Sequence, residues 1–405
     1  MNKNAMVKFS KSIKNMRSSE IRRLMKLADD PSVISFAGGM PENDLLPTDI
    51  VCDLYESLSL TQKQAAFQYG PTAGYPPLLE VLKTYLKTKG LPVEMNDLII
   101  TTGAQQAINL VSKVLINPGD MIFTEYPSFI GALAAFRSYG ANLVGIDVDS
   151  EGIKIEKLNK VINEKKRVAK MIYLIPNFQN PSGLIYSERR KKALLNLLSG
   201  RNLCILEDDP YCEIYFDETD KELTAPLKAI GDESIPICYI GSFSKIFGPG
   251  MRLGWLLGPP EIIEKCGLAK QSMDACSSTF TQVFAHAFLT QNMLLPYLKI
   301  LRKAFKKKAL IMLTALEEKM PDGVVWTRPK GGFYVWVTLP EWVNSSDVFH
   351  LSIVKGAAFV IGNAFDPLGE RNNCFRLAFS HTPEDRIAEG VDIVCQAVKS
   401  QMSQS

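Results

Sequence analysis

The sequence GSFSKIFGPGMR, which runs from Gly241 to Arg252, carries the most chemical information in this chain. Lys245 follows two serines, Ser242 and Ser244, and Arg252 comes seven positions after it. A lysine among small, turn-forming residues suits an amine that forms a Schiff base with an aldehyde. Hydroxyl groups and a guanidinium suit a phosphate on the same molecule. The alternative is an exposed loop lysine, so the rest of the chain must supply the remaining parts of a site.

The composition favours a protein of ordinary charge with about two domains, since the chain has 405 residues. Its 46 basic and 43 acidic residues leave a net charge of +3, which does not favour binding to nucleic acid or to an anionic membrane. No apolar run approaches the roughly 20 residues of a membrane span. The eight cysteines are scattered and form no CxxC pair, which predicts reduced thiols in a cytoplasmic protein. With three distant histidines, we expect no metal site.

Short apolar runs alternate with helical patterns through the middle of the chain. The predicted strands are Leu98–Thr102, Met121–Glu125, Leu143–Val148, Met171–Pro176, Leu203–Glu207, Ile237–Ile240 and Leu253–Leu257. Runs of this kind are typical of strands buried on both faces, and the helices between them predict parallel crossovers. We therefore expect an α/β fold with a mostly parallel seven-stranded sheet covered by helices. Ligands bind such sheets beyond the carboxyl ends of the strands.

The last part of the chain has a different pattern, which predicts a smaller α+β domain. A helical pattern runs from about Leu294 to Met320, and extended segments follow at Phe333–Thr338, Ala358–Ile361 and Phe375–Ala378. We expect residues 1–47 to form an N-terminal arm and part of the small domain, residues 48–292 the large domain, and residues 293–405 the small domain.

Polar residues follow the predicted strands of the large sheet. Pyridoxal phosphate is the biological cofactor that combines the aldehyde and the phosphate suited to the Lys245 segment. Asp208 comes directly after one strand, where its carboxylate could pair with the ring nitrogen of this cofactor and keep the ring an electron sink. Tyr211 and Asn180 could bond the ring's phenolic oxygen. Read alone, Asp208 also fits a solvated acidic turn, and Asn180-Pro181 fits a simple turn signal.

Two further segments fit the same cofactor and its substrate. Thr101-Thr102-Gly103-Ala104-Gln105 joins a strand to a helix, whose free amides and positive dipole end suit a phosphate. Arg376 lies within the apolar stretch Phe375–Phe379, and a buried arginine needs an anionic partner. That partner could be a substrate carboxylate held bidentately or a structural salt bridge.

Together these segments resemble the class I/II aminotransferases of the pyridoxal-phosphate-dependent transferase fold type I, in the branch of the 2-aminoadipate and kynurenine aminotransferases. The resemblance extends from about Arg17 to the last helix. It is carried by Ser242–Lys245 with Arg252, by Asn180-Pro181-Ser182-Gly183, by Asp208 and Tyr211, and by Phe375-Arg376-Leu377. The segments Ser35–Pro41 and Tyr69–Gly74 are also similar to that branch.

The resemblance implies a role for each matching residue. Lys245 would carry the cofactor as a Schiff base and shuttle the proton, and Asp208 would face the pyridine nitrogen. Asn180 and Tyr211 would flank the ring oxygen, and Phe129 would stack on the ring. The phosphate would be bound by Gly103, Ala104, Gln105, Ser242, Ser244 and Arg252, with Tyr69 of a neighbouring subunit. The substrate would be bound by Gly39, Asn180, Arg376 and Arg22, with Arg23 as the alternative to Arg22.

The expected activity is amino-group transfer between an L-amino acid and a 2-oxo acid by a ping-pong mechanism, in a homodimer. Relatives often have serine at the position of Ala104, so one hydroxyl contact to the phosphate is missing, at a cost of roughly 1 kcal/mol. Two alternatives stay open. One is a pyridoxal-phosphate-dependent lyase or synthase on the same scaffold, and the other is a non-catalytic sensor.

Overall fold

The computed structural model describes residues 8–10, 13, 30, 32–164 and 169–403. Its strands are β1 (Ile34–Ser35), β2 (Asp97–Thr101), β3 (Met121–Tyr126), β4 (Asn142–Asp149), β5 (Gly152–Ile153), β6 (Ala169–Leu174), β7 (Cys204–Asp208), β8 (Ile237–Ser242), β9 (Gly254–Gly258), β10 (Val325–Trp326), β11 (Tyr334–Thr338), β12 (Ala357–Ala358), β13 (Val360–Ile361) and β14 (Cys374–Ala378). Its α-helices are α1 (Thr48–Ser57), α2 (Leu60–Ala66), α3 (Pro76–Lys87), α4 (Ala104–Leu115), α5 (Ile130–Ser138), α6 (Ile155–Glu164), α7 (Glu188–Leu198), α8 (Leu227–Ile230), α9 (Pro260–Gln271), α10 (Thr279–Thr290), α11 (Leu294–Lys319), α12 (Ser345–Val354) and α13 (Glu384–Met402). Short 3-10 turns occur at Asn43–Leu45, Glu218–Thr224, Phe243–Lys245, Pro249–Met251 and Gly362–Phe365.

The larger sheet has eight strands in the order β2-β9-β8-β7-β6-β3-β4-β5. Strands β4, β3, β6, β7 and β8 run parallel, whereas β9 is antiparallel to both of its neighbours. All seven predicted strands are present within two residues of their predicted bounds. The eighth strand, β5, is a two-residue hairpin partner of β4 that the sequence pattern did not indicate. The predicted α/β fold with a mostly parallel sheet is confirmed.

The helices pack on the sheet through the apolar positions expected from their spacing. In α4, Ala107, Ile108 and Val111 are completely buried against the sheet. Ser187 caps α7, because its hydroxyl accepts a hydrogen bond from the amide of Arg190. The central strands β3, β7 and β8 are buried along their whole length as a result.

A smaller four-stranded antiparallel sheet has the order β10-β11-β14-β13. The long helix α11 begins and ends within one residue of its predicted bounds, and it packs against α13. Near the N-terminus, β1 pairs in parallel with β12, so that residues 34–35 join the C-terminal part of the chain. The proposed domain boundaries at residues 47 and 292 stay a prediction. Among the described residues, no helix combines the length and the apolar character needed to cross a membrane.

Candidate active site

A cavity of about 300 Å³ lies beyond the carboxyl ends of the parallel strands. Strand β7 ends at Asp208 and β8 ends at Ser242, so adjacent strands deliver both residues to this edge. The predicted residues that line the cavity are Gly39, Ala104, Gln105, Phe129, Asn180, Asp208, Tyr211, Ser242, Ser244, Lys245, Arg252 and Arg376. Segments far apart in the sequence therefore meet as the resemblance implied.

Lys245 lies at the end of a 3-10 turn that directly follows β8. The turn is closed by the Ser242 hydroxyl, which accepts a hydrogen bond from the amide of Ser244 at 3.1 Å. The Lys245 ammonium donates to the carbonyl oxygen of Gly39 at 2.8 Å. Burial, followed by the charges of Arg376 and Arg252, lowers the pKa of Lys245 to about 8. The neutral amine, which is the nucleophile, is therefore more abundant near neutral pH than it is for an ordinary lysine.

Asp208 is buried, and only one of its carboxylate oxygens has a partner. The Tyr173 hydroxyl donates to Oδ2 at 2.7 Å, whereas Oδ1 has no hydrogen-bond partner among the described residues. Burial raises the pKa of Asp208 to about 7; the Tyr173 hydrogen bond opposes this, and the charge of Asp209 adds to it. A cationic group beside Oδ1 would restore the ionised carboxylate, so the position suits a protonated ring nitrogen.

The opposite end of the cavity is formed by the start of α4 and by Arg252. Gly103 is the N-cap of α4 and has a φ of 76°, a backbone conformation that favours glycine. A Cβ atom at Gly103 would lie 2.8 Å from the Arg252 guanidinium, so the absence of a side chain lets the arginine approach the turn. Helix N-terminal amides, the serine hydroxyls and the guanidinium together suit a phosphate.

Arg376 lies in β14, where it is 2% exposed and has no carboxylate partner among the described residues. Its Nη1 donates to the side-chain oxygen of Asn180 at 2.9 Å, and its Nη2 donates to the carbonyl of Ala37. The Nε atom is buried without a partner within the described part of the chain. Burial lowers the pKa of Arg376 from its usual value, which an anionic ligand would reverse. A structural salt bridge, the alternative for this residue, is not found among the described residues.

Two residues at this site were not identified from the sequence. Tyr334 lines the cavity, and its hydroxyl lies 2.9 Å from that of Tyr211. Tyr173 holds Asp208 from the neighbouring strand β6. Both belong to apolar strand runs, so strand periodicity alone assigns them to the core.

Two of the predicted residues, Gly103 and Tyr69, are not among the residues that line this cavity. Tyr69 is 87% exposed and lines a separate cavity of about 410 Å³ with Phe67 and Phe280. This position agrees with the expectation that Tyr69 acts on a neighbouring subunit and does not test it. Arg22 and the alternative Arg23 lie outside the described residues.

The residues present fit pyridoxal phosphate. The unpartnered Oδ1 of Asp208 suits the ring nitrogen, the α4 end suits the phosphate, and Lys245 lines the same cavity. The Phe129 ring lines the same cavity and could stack on the cofactor ring. Among the described residues, no group of three or more His, Cys, Asp or Glu side chains is arranged to hold a metal ion.

Comparison with known proteins also identifies aminotransferases as the proteins that this chain resembles. The family model "Aminotransferase class I and II" matches residues 34–394. Aromatic-amino-acid aminotransferase 1 of Thermococcus litoralis is 39% identical over 399 residues, which cover 97% of this chain and 94% of that protein.

Two solved structures extend this similarity to the fold and the cofactor. The kynurenine aminotransferase of Pyrococcus horikoshii, in complex with PMP, is 39% identical with a TM-score of 0.93, and 97% of each chain is covered. The alpha-aminoadipate aminotransferase of Thermus thermophilus, complexed with N-(5'-phosphopyridoxyl)-L-leucine, is 31% identical with a TM-score of 0.86, and 98% of each chain is covered. These relatives favour transamination over the lyase and sensor alternatives. The family match over most of the chain and a cavity that fits pyridoxal phosphate lead to one conclusion: this chain belongs to the class I and II aminotransferases and is a pyridoxal-phosphate-dependent enzyme that acts on amino acids and 2-oxo acids.

Proposed function

We propose that Lys245 binds the cofactor and moves the proton in this transamination, and that Asp208, Arg376 and the residues around them hold the reactants. When bound, pyridoxal phosphate supplies an electron sink for the negative charge that develops at the substrate α-carbon. The observation that carries the proposal is that Lys245, whose pKa is lowered, lines one cavity with Asp208 and Arg376, each of which has one buried atom without a partner among the described residues, Oδ1 and Nε respectively.

The Lys245 amine is suited to act as a general base once the substrate amine has displaced it. Its Nζ would accept the proton that leaves the substrate α-carbon, hold it, and return it in the second part of the half-reaction. A pKa of about 8 favours this proton transfer near neutral pH, because the amine can both accept and release a proton there.

Arg376 would bind the substrate α-carboxylate through its free Nε and the remaining guanidinium protons, since Asn180 and Ala37 already fix its orientation. One site then serves both the amino acid and the 2-oxo acid. The first product must leave before the second substrate binds, which predicts ping-pong kinetics.

The decisive experiment is Lys245→Ala. We expect kcat to fall by about 10⁴-fold, the upper range of what a positioned acid–base group contributes, while the folded protein keeps its circular dichroism. Lys330→Ala is the matched control, because Lys330 is an exposed lysine that pairs with Asp220 away from the cavity. Turnover by Lys245→Ala at the rate of the control would overturn the assignment.

A homodimer is proposed for this enzyme. Phe67 and Tyr69 are 76% and 87% exposed, and they surround the second cavity together with Phe280. Exposed aromatic residues at a cavity favour burial against another molecule, and Tyr69 would reach the phosphate of the partner subunit. Light scattering should give the mass of a dimer, and Tyr69→Phe should weaken pyridoxal phosphate binding; a fully active monomer would contradict this proposal.

A cytoplasmic location is also proposed, because all eight cysteines are free thiols. The buried pair Cys204 and Cys238 has its sulfur atoms 3.9 Å apart without a disulfide. Reduced thiols are typical of cytosolic proteins. Cell fractionation with a specific antibody tests the location, and recovery of the enzyme from an oxidising compartment would contradict it.

A further inference from the structure

Tyr334 contacts two residues of the proposed active site, Tyr211 and Arg376, and has no role in the function proposed so far. It is the first residue of β11 and is 2% exposed. Its hydroxyl lies 2.9 Å from the Tyr211 hydroxyl, and its ring centre lies 4.5 Å from the guanidinium carbon of Arg376. Tyr334 therefore contacts both the residue proposed at the cofactor's ring oxygen and the residue proposed at the substrate carboxylate.

The direction of the hydrogen bond between the two tyrosines follows from the number of their protons. A tyrosine hydroxyl has one proton to donate, and it can also accept. Either oxygen of the Tyr211–Tyr334 pair could be the donor. If Tyr211 is to donate to the cofactor's ring oxygen, its single proton is committed there. The bond between the tyrosines must then run from the Tyr334 hydroxyl to the Tyr211 oxygen.

The ring of Tyr334 contacts the guanidinium of Arg376 without using any of its N–H donors. A guanidinium over an aromatic face is held by cation–π attraction, which leaves its N–H groups free. The Phe365 ring lies 5.0 Å from the same guanidinium carbon. These two rings restrict the orientation of the guanidinium, so that the unpartnered Nε can face an anionic ligand.

The backbone around Tyr334 fixes its position. It pairs with Ala378 in the β11–β14 register, which also places Arg376 opposite Trp336. On the other side, a Cβ atom at Gly39 would lie 1.9 Å from the Tyr334 hydroxyl, and one at Gly183 would lie 2.3 Å from the Tyr334 carbonyl. Two glycines thus let neighbouring segments approach this tyrosine closely, as expected for a side chain that must be held in one orientation.

We propose that Tyr334 is a positioning residue that donates its hydroxyl proton to Tyr211, so that the proton of Tyr211 points at the cofactor's ring oxygen, while its ring orients Arg376 for the substrate carboxylate. The proposal rests on the role proposed for Tyr211. It assigns two separable functions to one side chain, one through the hydroxyl and one through the ring.

The hydroxyl function is tested with Tyr334→Phe, Tyr211→Phe and the double variant. The readouts are the pH midpoint of the bound cofactor's absorbance change and the dissociation constant for pyridoxal phosphate. Loss of a donor would leave negative charge on the ring oxygen of the bound cofactor less stabilised, which would favour the protonated form of the cofactor, so the midpoint should rise. We expect Tyr334→Phe to raise it by about half a pH unit to one unit, the equivalent of one hydrogen bond.

In the Tyr211→Phe background, Tyr334→Phe should cause no further shift, because its effect passes through the Tyr211 hydroxyl. An equal shift in both backgrounds, or no shift in either, would show that the Tyr334 hydroxyl does not act through Tyr211. If Tyr211→Phe alone leaves the midpoint unchanged, the role proposed for Tyr211 is wrong instead. The two failures are therefore distinguishable.

The ring function is tested by comparing Tyr334→Phe with Tyr334→Leu. The phenylalanine keeps an aromatic face against Arg376, and the leucine removes it. We expect Tyr334→Leu to raise the KM for the amino acid about tenfold or more above that of Tyr334→Phe, since both partners of this cation–π contact are buried and such contacts are stronger when desolvated. Equal KM values for the two variants would refute the ring function.

Discussion

This molecule has two clusters of buried charged residues. In one cluster the charged side chains pair with one another, whereas in the other two charged side chains each have an atom without a hydrogen-bond partner. Glu213 accepts hydrogen bonds from the Tyr85 hydroxyl, from Lys89 and from Arg302, whose guanidinium also lies 3.6 Å from the centre of the Tyr215 ring. In the cavity, by contrast, Asp208 Oδ1 and Arg376 Nε are unpartnered among the described residues. Both clusters have been removed from water, but only the first has its charges matched by the protein itself.

The carboxylates respond to burial in opposite directions as a result. Burial acts to raise the pKa of Glu213, but the charge and hydrogen bond of Lys89, with help from Tyr85 and Arg302, hold it below its usual value. Burial prevails at Asp208, whose pKa rises to about 7. A buried charge whose partners all come from the protein is part of the folded structure itself, whereas a buried charge with an unpartnered atom can bind a ligand.

The largest effect on stability is expected for Glu213→Gln. The change leaves Lys89 and Arg302 without their common carboxylate, and removal of one partner of a buried ion pair costs about 3–5 kcal/mol. Urea denaturation should show this loss in the free energy of unfolding, while the folded fraction keeps its kcat. Glu218→Gln is the control, because Glu218 also pairs with Arg302 but is 70% exposed, and about 1 kcal/mol or less is expected. Equal losses for the two variants would remove the basis of the comparison.

Asp208→Asn should instead affect catalysis. Replacing the carboxylate that faces the ring nitrogen should lower kcat by about 10²–10³-fold, as for loss of one preorganised electrostatic group. The free energy of unfolding of the cofactor-free protein should not fall, because the variant removes a poorly partnered buried charge. The neighbouring Asp209→Asn is the control, since Asp209 is bonded to Asn177 and Tyr239 and does not line the cavity. A comparable kcat loss in Asp209→Asn would show that position 208 has no special role.

Gly39→Ala should have an intermediate effect that is specific to the site. Its methyl group would lie 1.9 Å from the Tyr334 hydroxyl, so the tyrosine or residues 38–40 must move. Overpacking of this kind costs about 1–3 kcal/mol, and we expect kcat/KM to fall by about tenfold or more. Gly38→Ala should be milder, because its methyl group meets only the flexible end of Met40 at 3.1 Å. Steady-state kinetics of both variants give the comparison, and a reversed order would contradict it.

The smallest expected effect is on how the free energy of unfolding depends on pH, which differs in sign between Asp208 and Glu213. The folded pKa of Asp208 lies above its unfolded value, so its contribution is complete at low pH and is lost as the pH rises towards 7. The cofactor-free protein should lose roughly 1 kcal/mol per pH unit between pH 5 and 6 from this group. Glu213 has the opposite sign, and its contribution is lost as the pH falls through its lowered pKa. Asp208→Asn should flatten the decrease above pH 5, and an unchanged slope would count against this account.

Much of this architecture could be predicted because it depends on local patterns. Buried strands, the helix α4 after a glycine turn, and polar residues at strand ends all appear in the order of the chain. The sequence predicts Lys245 from its serine and arginine neighbours, and it predicts Asp208 and Asn180 from their positions after apolar strands. Arg376 is predicted because it lies within an apolar stretch, where an arginine needs an anionic partner.

What could not be predicted depends on pairing between distant segments. Tyr334 belongs to an apolar run, and its place beside Tyr211 depends on the β11–β14 register and on the approach of residues 211–215. Tyr173 reaches Asp208 only because β6 and β7 pair in parallel. A tyrosine hydroxyl in a core run gives no sequence signal of its own, because its partner is chosen by the tertiary fold.

The segment that carries Ala37 and Gly39 reaches the cavity through its main chain. The Ala37 carbonyl accepts from Arg376, and the Gly39 carbonyl accepts from Lys245. Every amino acid has a carbonyl, so point mutation at these positions can crowd the site but cannot delete either acceptor. During evolution, substitutions in this part of the wall can therefore change the shape of the cavity while both acceptors remain in the main chain.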